Sequence, residues 1–488
     1  MQKTRFLLCA ALIAGASCAN AATFTVTTLN DNVAGSLRDA VAKANQSSGA
    51  DTIVFQPGLT GTITLDATAG ALTISDSLTL TGPGSGRVTI DANQGQAFRL
   101  VNNAIDKTWA ISGLRIVNGK AGTSSSDSGG GLFYEATSIH ADIRLTDLVF
   151  EDNIASRKGG AISVAGANLT LSRVVLRRNR AADGFQPSGG GVYFSRGMLT
   201  VDNSIFVDNQ AEYGGGLSIA SPGANAAIAD TVFQENTASK GGGIHVISVE
   251  NFRMSRSALI ENVALHEYGG GIYFSGTVGA GTPDSVIENT TFSRNEAQHQ
   301  FALGSALSAW DGHLIVRNAT FADNKTAPGV EPGVGAGGAL WVNNGVGTHV
   351  TVQSSLFNRN THGSTNQSVD LTRNTGTPES TLNVDHSLFQ VMPAIGVIST
   401  GSANLEGDAL LQELTTAHGG RTPVHPIPKN SPAIDKGSNP GNLATDQRGA
   451  GFARTIDFDA CRRPNVHVPD IGAYEYRGDT IFCHGFDG

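Results

Sequence analysis

The sequence predicts an all-β solenoid of stacked coils with a short N-terminal capping helix, and three observations carry that expectation. Eight asparagines fall into one frame, Asn153, Asn179, Asn209, Asn236, Asn262, Asn295, Asn324 and Asn360, at intervals of 26, 30, 27, 26, 33, 29 and 36 residues. Phe or Leu stands three residues before each (Phe150, Leu176, Phe206, Phe233, Leu259, Phe292, Phe321, Phe357), and most copies carry apolar pairs such as Ile143 and Leu145 further upstream. That spacing is the alternation of a strand with one buried face. Glycine clusters such as Gly189 to Gly191, Gly214 to Gly216 and Gly241 to Gly243 mark bends that need positive φ or close backbone approach. No such repeat can bury its apolar face alone, so the copies must stack.

Stacked coils place equivalent residues roughly 4.8 Å apart, so the eight asparagines can form an internal ladder in which each amide bonds the next. We assign the asparagine and glycine series to structure, because regular spacing is what packing demands and catalysis does not. Two more turns fit the frame without the asparagine: Trp109, Ile111 and Ile116 point to Gly119, and Leu382, Val384 and Phe389 point to Met392. The expected helix has roughly ten to thirteen coils over about residues 61–400.

The F-x-x-N and G-G-[GA]-[ILV] units, as in Phe233-Gln234-Glu235-Asn236 with Gly241-Gly242-Gly243-Ile244, resemble the repeats of polymorphic outer membrane proteins. That resemblance covers roughly residues 110–390 and implies an exported, right-handed parallel β-helix of the pectin-lyase-like kind, associated with the outer membrane or cell surface. Gly35-Ser36-Leu37-Arg38-Asp39-Ala40 is similar to the C-S-L-R-E-A segment that opens many such proteins, with Gly35 in place of Cys and Asp39 in place of Glu. Asn430 to Asp435, Asp446 to Gly449 and Asp470 to Glu475 resemble the closing segment of β-helix proteins assigned to varied anchoring systems.

Taken in order, residues 1–21 read as a signal peptide: Lys3 and Arg5, the apolar Phe6 to Ala14, then Ala19-Asn20-Ala21 as an A-x-A cleavage site. A second reading, lipidation at Cys18, lacks the large aliphatic residue usual before such a cysteine. Cleavage would take the net charge from −9 to −11. Residues 22–60 form an N-terminal cap in which Ser36 N-caps a helix with Leu37, Val41 and Ala44 on one face. Such a helix blocks the open edge of the first coil.

Residues 61–400 are the repeats, and 401–477 are expected to seal the last coil. In that region Asp435, Asp446, Arg448, Asp470 and Glu475 read as a charge-paired structural cluster, since a partly buried Arg needs carboxylate partners. Residues 478–488 form an aromatic and glycine tail, and export permits a disulfide between Cys461 and Cys483.

The acidic balance argues against nucleic acid as partner, because binding phosphates needs a basic face. No stretch beyond the signal segment has the roughly 18 apolar residues of a membrane helix. Fewer than 100 residues follow the repeats, too few for the many alternating strands of a membrane barrel. A G-x-S-x-G elbow, an H-E-x-x-H zinc helix and calcium-binding G-G-x-G-x-D repeats are all absent.

The expected role is structural, adhesive or carbohydrate-binding, with a polysaccharide or a host or cell-surface ligand as partner. The alternative is a lyase or glycoside hydrolase acting on an acidic polysaccharide, which needs a base near a uronate or two carboxylates at a set separation. His266-Glu267 and Asp311-Gly312-His313 lie in long turns and are the residues such an enzyme could draw on.

The residue immediately before each asparagine is charged in all eight copies: Asp152, Arg178, Asp208, Glu235, Glu261, Arg294, Asp323 and Arg359. This stripe should face solvent. Most neighbours alternate in sign, but Asp208, Glu235 and Glu261 form a run of three carboxylates. Such a run would repel unless a cation such as Ca²⁺ sits among them, and it is the expected metal site. No other cofactor is implied.

Overall fold

The computed structural model describes residues 21–102, 106–122, 127–137, 141–182, 184–279, 281–299, 302–326, 338–363, 369–374, 380–394, 396–455 and 468–477. The signal segment except Ala21, Cys18, Cys461, Cys483 and the tail lie outside the described residues. The chain winds as a right-handed parallel β-helix with three long faces, sheets of 14, 13 and 11 strands in which every neighbouring strand is parallel. One coil runs Ile162–Ala165 in the third sheet, Asn168–Ser172 in the first, Val175–Arg177 in the second, and the short Arg180–Ala181.

The asparagine ladder forms inside the stack. Asn209 Nδ2 donates to Asn236 Oδ1 at 2.9 Å, Asn236 Nδ2 donates to Asn262 Oδ1 at 2.9 Å, and the same bond recurs from Asn153 through Asn360. Each Oδ1 also accepts the backbone N–H of the preceding asparagine, as Asn262 Oδ1 does from Asn236 N at 3.1 Å. Each Nδ2 donates to a core carbonyl as well, for example Asn236 to Phe206 O at 2.9 Å. Every amide is thereby satisfied without water, which is what makes full burial tolerable.

Gly119 opens the ladder through its N–H on Asn153 Oδ1, 2.9 Å. At the other end Asp370, not the expected Met392, takes the asparagine's place: its Oδ1 accepts from Asn360 Nδ2 at 2.9 Å.

The charged residue before each asparagine occupies a corner of the coil in the left-handed region, with φ between 53° and 58° from Asp152 to Arg359. Left-handed backbone is costly for a residue with a side chain and persists where its surroundings fix it. Here the carbonyls of the adjacent coil do so, as in the Asp208 N–H bond to Gln234 O at 3.1 Å. The glycines are needed for two reasons. Gly189 has φ +69, and a Cβ on Gly190 would stand 2.4 Å from the Gly215 carbonyl oxygen of the next coil.

The interior is filled by ladders of like residues, including stacked rings with centroids 4.6 Å apart for Phe292 with Phe321 and for Phe321 with Phe357. Helix α1 (Leu37–Gln46) caps the first coil as expected. The Asp39 N–H donates to Ser36 Oγ at 3.1 Å, and Leu37, Ala40, Val41 and Ala44 are buried. The stack begins earlier than residue 61, because Thr23–Val26 pairs with Asp51–Phe55 at the start of the first sheet.

The C-terminal segment corrects the expectation of an end cap. Instead of sealing the last coil, it runs back as a strap along the outside of the second sheet. Asn358 Nδ2 donates to Asp408 Oδ1 at 3.2 Å, Asn318 Nδ2 to Ser438 O at 3.1 Å, Asn289 Nδ2 to Thr445 O at 2.7 Å, and Thr422 Oγ1 reaches Arg256 O at 3.1 Å. A second apolar core lies beneath it, built from Ala322, Leu356 and Leu388 of the sheet with Leu411, Val424, Ile471 and Tyr474 of the strap.

Candidate functional site

The third sheet carries the surface that the structure singles out. Its strands alternate between side chains in the main core, such as Val192 and Phe194, and side chains pointing away from it. The outward positions stack in register as Phe133, Ser163, Tyr193, Ser218, His245, Tyr273, Ser308 and Trp341. The turns before the glycine clusters form a wall beside this floor, with Lys158, Ser188, Tyr213 and Lys240 bridged in sequence from coil to coil.

Aromatic rings run along the trough in near-continuous contact. Tyr213 lies 5.2 Å from His245, and His245 stacks on Tyr273 at 5.1 Å. Tyr268 lies 4.9 Å from Trp310, and Trp310 lies 5.2 Å from Trp341. The Lys158 ammonium sits 4.4 Å from the Tyr193 ring centre. That of Lys240 is 5.8 to 5.9 Å from the rings of Tyr213, Tyr268 and Tyr273. Of only 3 tryptophans and 7 tyrosines in the chain, Trp310, Trp341, Tyr193, Tyr213, Tyr268 and Tyr273 all converge here.

The deepest part of the trough is a cavity of about 380 Å³ bounded by Lys158, Tyr193, Tyr213, Lys240, His245 and Tyr273. Burial, and secondarily the Lys240 charge, push the His245 imidazole down to about 3, so it is neutral at ordinary pH. Burial raises the Tyr273 phenol well above its usual range, helped by Asp311 and Glu267. Four nearly inaccessible polar atoms of the floor, Ser218 Oγ, His245 Nδ1, Ser308 Oγ and Trp341 Nε1, have no hydrogen-bond partner among the described residues. Buried polar groups are rarely left so.

The residues singled out in the sequence are dispersed. Glu267 pairs with Lys240 at 2.7 Å in the trough wall, while His266 is exposed. Asp311 accepts from Ser275 Oγ at 3.1 Å at a bulge of the third sheet. His313 faces Asp284 at 3.4 Å and His349 at a ring distance of 4.8 Å on the first sheet, so the Asp-Gly-His turn splits between two faces.

The C-terminal charges form the paired cluster expected of them. Arg448 bonds Asp446 at 2.5 Å, with its guanidinium 4.0 Å from the Tyr474 ring centre. The Glu475 N–H donates to Asp446 Oδ2 at 3.0 Å, the Asp470 N–H to Glu475 Oε2 at 3.1 Å, and the Asp435 N–H to Asp470 Oδ1 at 2.9 Å. Arg454, which the sequence reading passed over, lies fully buried 3.9 Å from Glu475.

In the charged stripe Asp208 and Glu235 are exposed and Glu261 is half-buried, in consecutive coils. Arg294 stands 3.5 Å from Glu261. No three His, Cys, Asp or Glu side chains converge as a metal site among the described residues.

The aromatic trough was missed in the sequence, yet it left a trace. The second residue after a glycine cluster is outward-facing and is Phe133, Tyr193, His245 or Tyr273 in four of the copies.

The fold defines a class: an all-β parallel β-helix of stacked repeats. Residues 147–165 and 230–247 match the Chlamydia polymorphic membrane protein (Chlamydia_PMP) repeat. The chain is 30% identical over 105 residues to the "Probable autotransporter YfaL" of Escherichia coli (strain K12), a match covering 20% of this chain and 8% of that relative's length. Among solved structures it is similar to the PL6 family alginate lyase AlyGC, with TM-score 0.45 and 12% identity over 80% of this chain and 54% of the other. It is also similar to pectate lyase Pel9A, with TM-score 0.42 and 14% identity over 93% and 96%. Neither enzyme is similar enough to lend this chain its activity. Among the described residues no helix is long and apolar enough to cross a membrane.

Proposed function

We propose that this chain is an exported, surface-associated β-helix that binds carbohydrate in the trough on the third sheet. The observation that carries the reading is the convergence of Tyr193, Tyr213, Tyr268, Tyr273, Trp310 and Trp341 on one face of a protein poor in aromatics. Ring faces stack on the C–H faces of sugars, and Lys158, Lys240 and Ser188 in the cavity wall offer bonds to hydroxyl groups. Adhesion through a glycan follows from such a surface displayed on a rigid rod.

Binding is better supported than cleavage, because the cavity is lined by cations and rings and by no carboxylate. The signal peptide at residues 1–21 and a weak calcium site at Asp208, Glu235 and Glu261 belong to the same proposal.

The test is a glycan array probed with the purified secreted protein and its Trp310→Ala variant. Binding lost in the variant with an unchanged melting temperature supports the reading, and equal binding by both proteins overturns it. Assaying the bound glycans for new reducing ends and unsaturated uronates separates a binder from a lyase or hydrolase.

A further inference from the structure

We infer that the trough selects a polyanionic glycan, lying along the helix axis across several coils, over a neutral one. This rests on the carbohydrate-binding reading and names its ligand class.

Charge is the first ground. The whole chain carries a net −9, yet the cavity in the trough is lined by Arg157, Lys158 and Lys240 and by no acidic side chain. A cationic hollow in an acidic protein focuses its field on an anion and not on a neutral sugar. Two carboxylates stand just outside the lining: Glu267 contacts Lys240 at 2.7 Å, and Glu212 bonds the Tyr213 phenol.

Lys240 is also held among three aromatic rings, where its ammonium loses part of its hydration. A partly dehydrated ammonium gains more from a carboxylate or sulfate than one in bulk water does.

Length is the second ground. Lys158 and Lys240 are three coil steps apart through Ser188 and Tyr213, or roughly 14 Å at the spacing of adjacent strands. That exceeds a single sugar ring and suits charges repeated along a chain.

The floor between these lysines supplies the complementary surface. Ser163, Tyr193, Ser218 and His245 follow one another, so small residues alternate with rings and leave notches between them. Its orphaned atoms, Ser218 Oγ and His245 Nδ1, lie in side chains that are 1% and 6% exposed. Because burial keeps His245 neutral, its imidazole is ring surface in the floor and not an anion's counter-charge. The selecting charges are therefore the lysines.

Aromatic rings with cations also suit single-stranded nucleic acid. The acidic balance of the chain disfavours it, and an oligonucleotide is one arm of the test.

The experiment is calorimetric titration of the full-length secreted protein with uronic-acid oligosaccharides, neutral hexose oligosaccharides of the same length, and a single-stranded oligonucleotide, at low and high salt. Wild type should bind the uronate at least about tenfold tighter than the neutral sugar, with the difference shrinking in salt. Lys158→Gln with Lys240→Gln should bring the ratio of uronate to neutral-sugar affinity to about one and remove its salt dependence, with the melting temperature as the check that the fold is kept.

Equal, salt-independent affinity for the two sugars overturns the inference and leaves the carbohydrate reading standing. Tighter binding of the oligonucleotide overturns the inference as well. Absence of binding to every sugar tested, with no Trp310→Ala effect, overturns the underlying reading.

Discussion

The outward faces of the second and third sheets are built from the same repeat and finished in opposite ways. On the second sheet one register position runs Val175, Ile205, Val232, Ala258, Thr291, Thr320 and Leu356. Ile205 is 42% exposed and Leu356 only 1%, because the strap lies over the later coils. Its own chain covers that half, and the outward residues become small or apolar to suit: Ala258, Thr291, Ser293, Thr320, Ala322.

The bare half keeps charges outside instead. Arg115, Arg177 and Arg178 converge on Glu151, and although burial alone would raise this carboxyl, they hold it down at about 2. The third sheet follows neither pattern. It carries large rings outward, and among the described residues no part of the strap lies over them. The outward residues under the strap are small or apolar and pack against it, whereas those of the trough include large rings that no described part of the strap covers, the state of a surface open to a partner outside the fold.

The comparison breaks most severely if the strap is cut loose. Asp446→Ala should cost about 3 to 5 kcal/mol, since it strands the Arg448 guanidinium in a site where that side chain is 2% exposed. Melting temperature is the measurement, with limited proteolysis expected to open the chain between Asp408 and Tyr476.

The same comparison is sharpened within one register position. Leu356→Ala should cost about 2 to 5 kcal/mol, while Ile205→Ala should fall within about 0.5 kcal/mol of wild type. Equal costs in chemical denaturation would mean that the strap does not bury the sheet in solution. Asn236→Leu, under neither face, should cost roughly 1 to 3 kcal/mol by taking the Asn236 Oδ1 acceptor from the Asn209 N–H and Nδ2 and the Nδ2 donor from the Phe206 carbonyl.

The covered end also carries a pH dependence. Burial raises Asp370 to about 6, against the bonds from Asn360, Val391 and Gln390 that favour its ionised form, and burial raises Asp470 to about 6 under the strap. A carboxyl whose folded pKa exceeds its unfolded value contributes stability that is full below about pH 4 and is lost as pH climbs to about 6. His245, His362 and His425, kept neutral by burial, add stability as pH rises over the same range, so the contribution of Asp370 is read as a difference between two proteins. Relative to wild type, the melting temperature of Asp370→Asn should rise from about pH 4 to about pH 6. An unchanged slope would show that Asp370 does not titrate there.

Much of this architecture was legible in the sequence, and what was legible is what repeats. Asn153 to Asn360 and the Phe or Leu three places upstream recur because every coil must meet its neighbours in the same way. The strap was not legible as a strap. Asn289 meets Thr445, and Thr320 meets the Ala473 N–H at 3.0 Å, across more than 150 residues with no shared period. Its only trace was the change from Val149, Val175 and Ile205 to Ala258, Thr291 and Thr320. The trough was hidden for a related reason. Tyr213 and Lys240 come from turns of unequal length, Tyr273 and Trp341 from strands, and only the folded turns bring them together.

The smallest expected effect concerns the corner that separates these two faces. Asp208, Glu235 and Glu261 occupy it in three consecutive coils, each in left-handed backbone that turns the chain from the second sheet toward the trough wall. Like charges this close repel, and a hard cation bridging them would relieve the repulsion. Two contacts already offset part of it: Arg294 stands 3.5 Å from Glu261, and the Gln234 amide bonds Glu235 at 2.8 Å. Asp208 and Glu235 therefore carry most of the proposed calcium affinity, and water completes the shell. A site filled to half by the free ion adds only about 0.4 kcal/mol, or roughly 0.4 °C in a chain of this size, rising with each further increase in calcium. Thermal unfolding followed across a calcium titration should show that rise in wild type and none in the Asp208→Asn, Glu235→Gln, Glu261→Gln variant. Equal rises in the two proteins would place the ion elsewhere and reduce this corner to a solvated acidic strip.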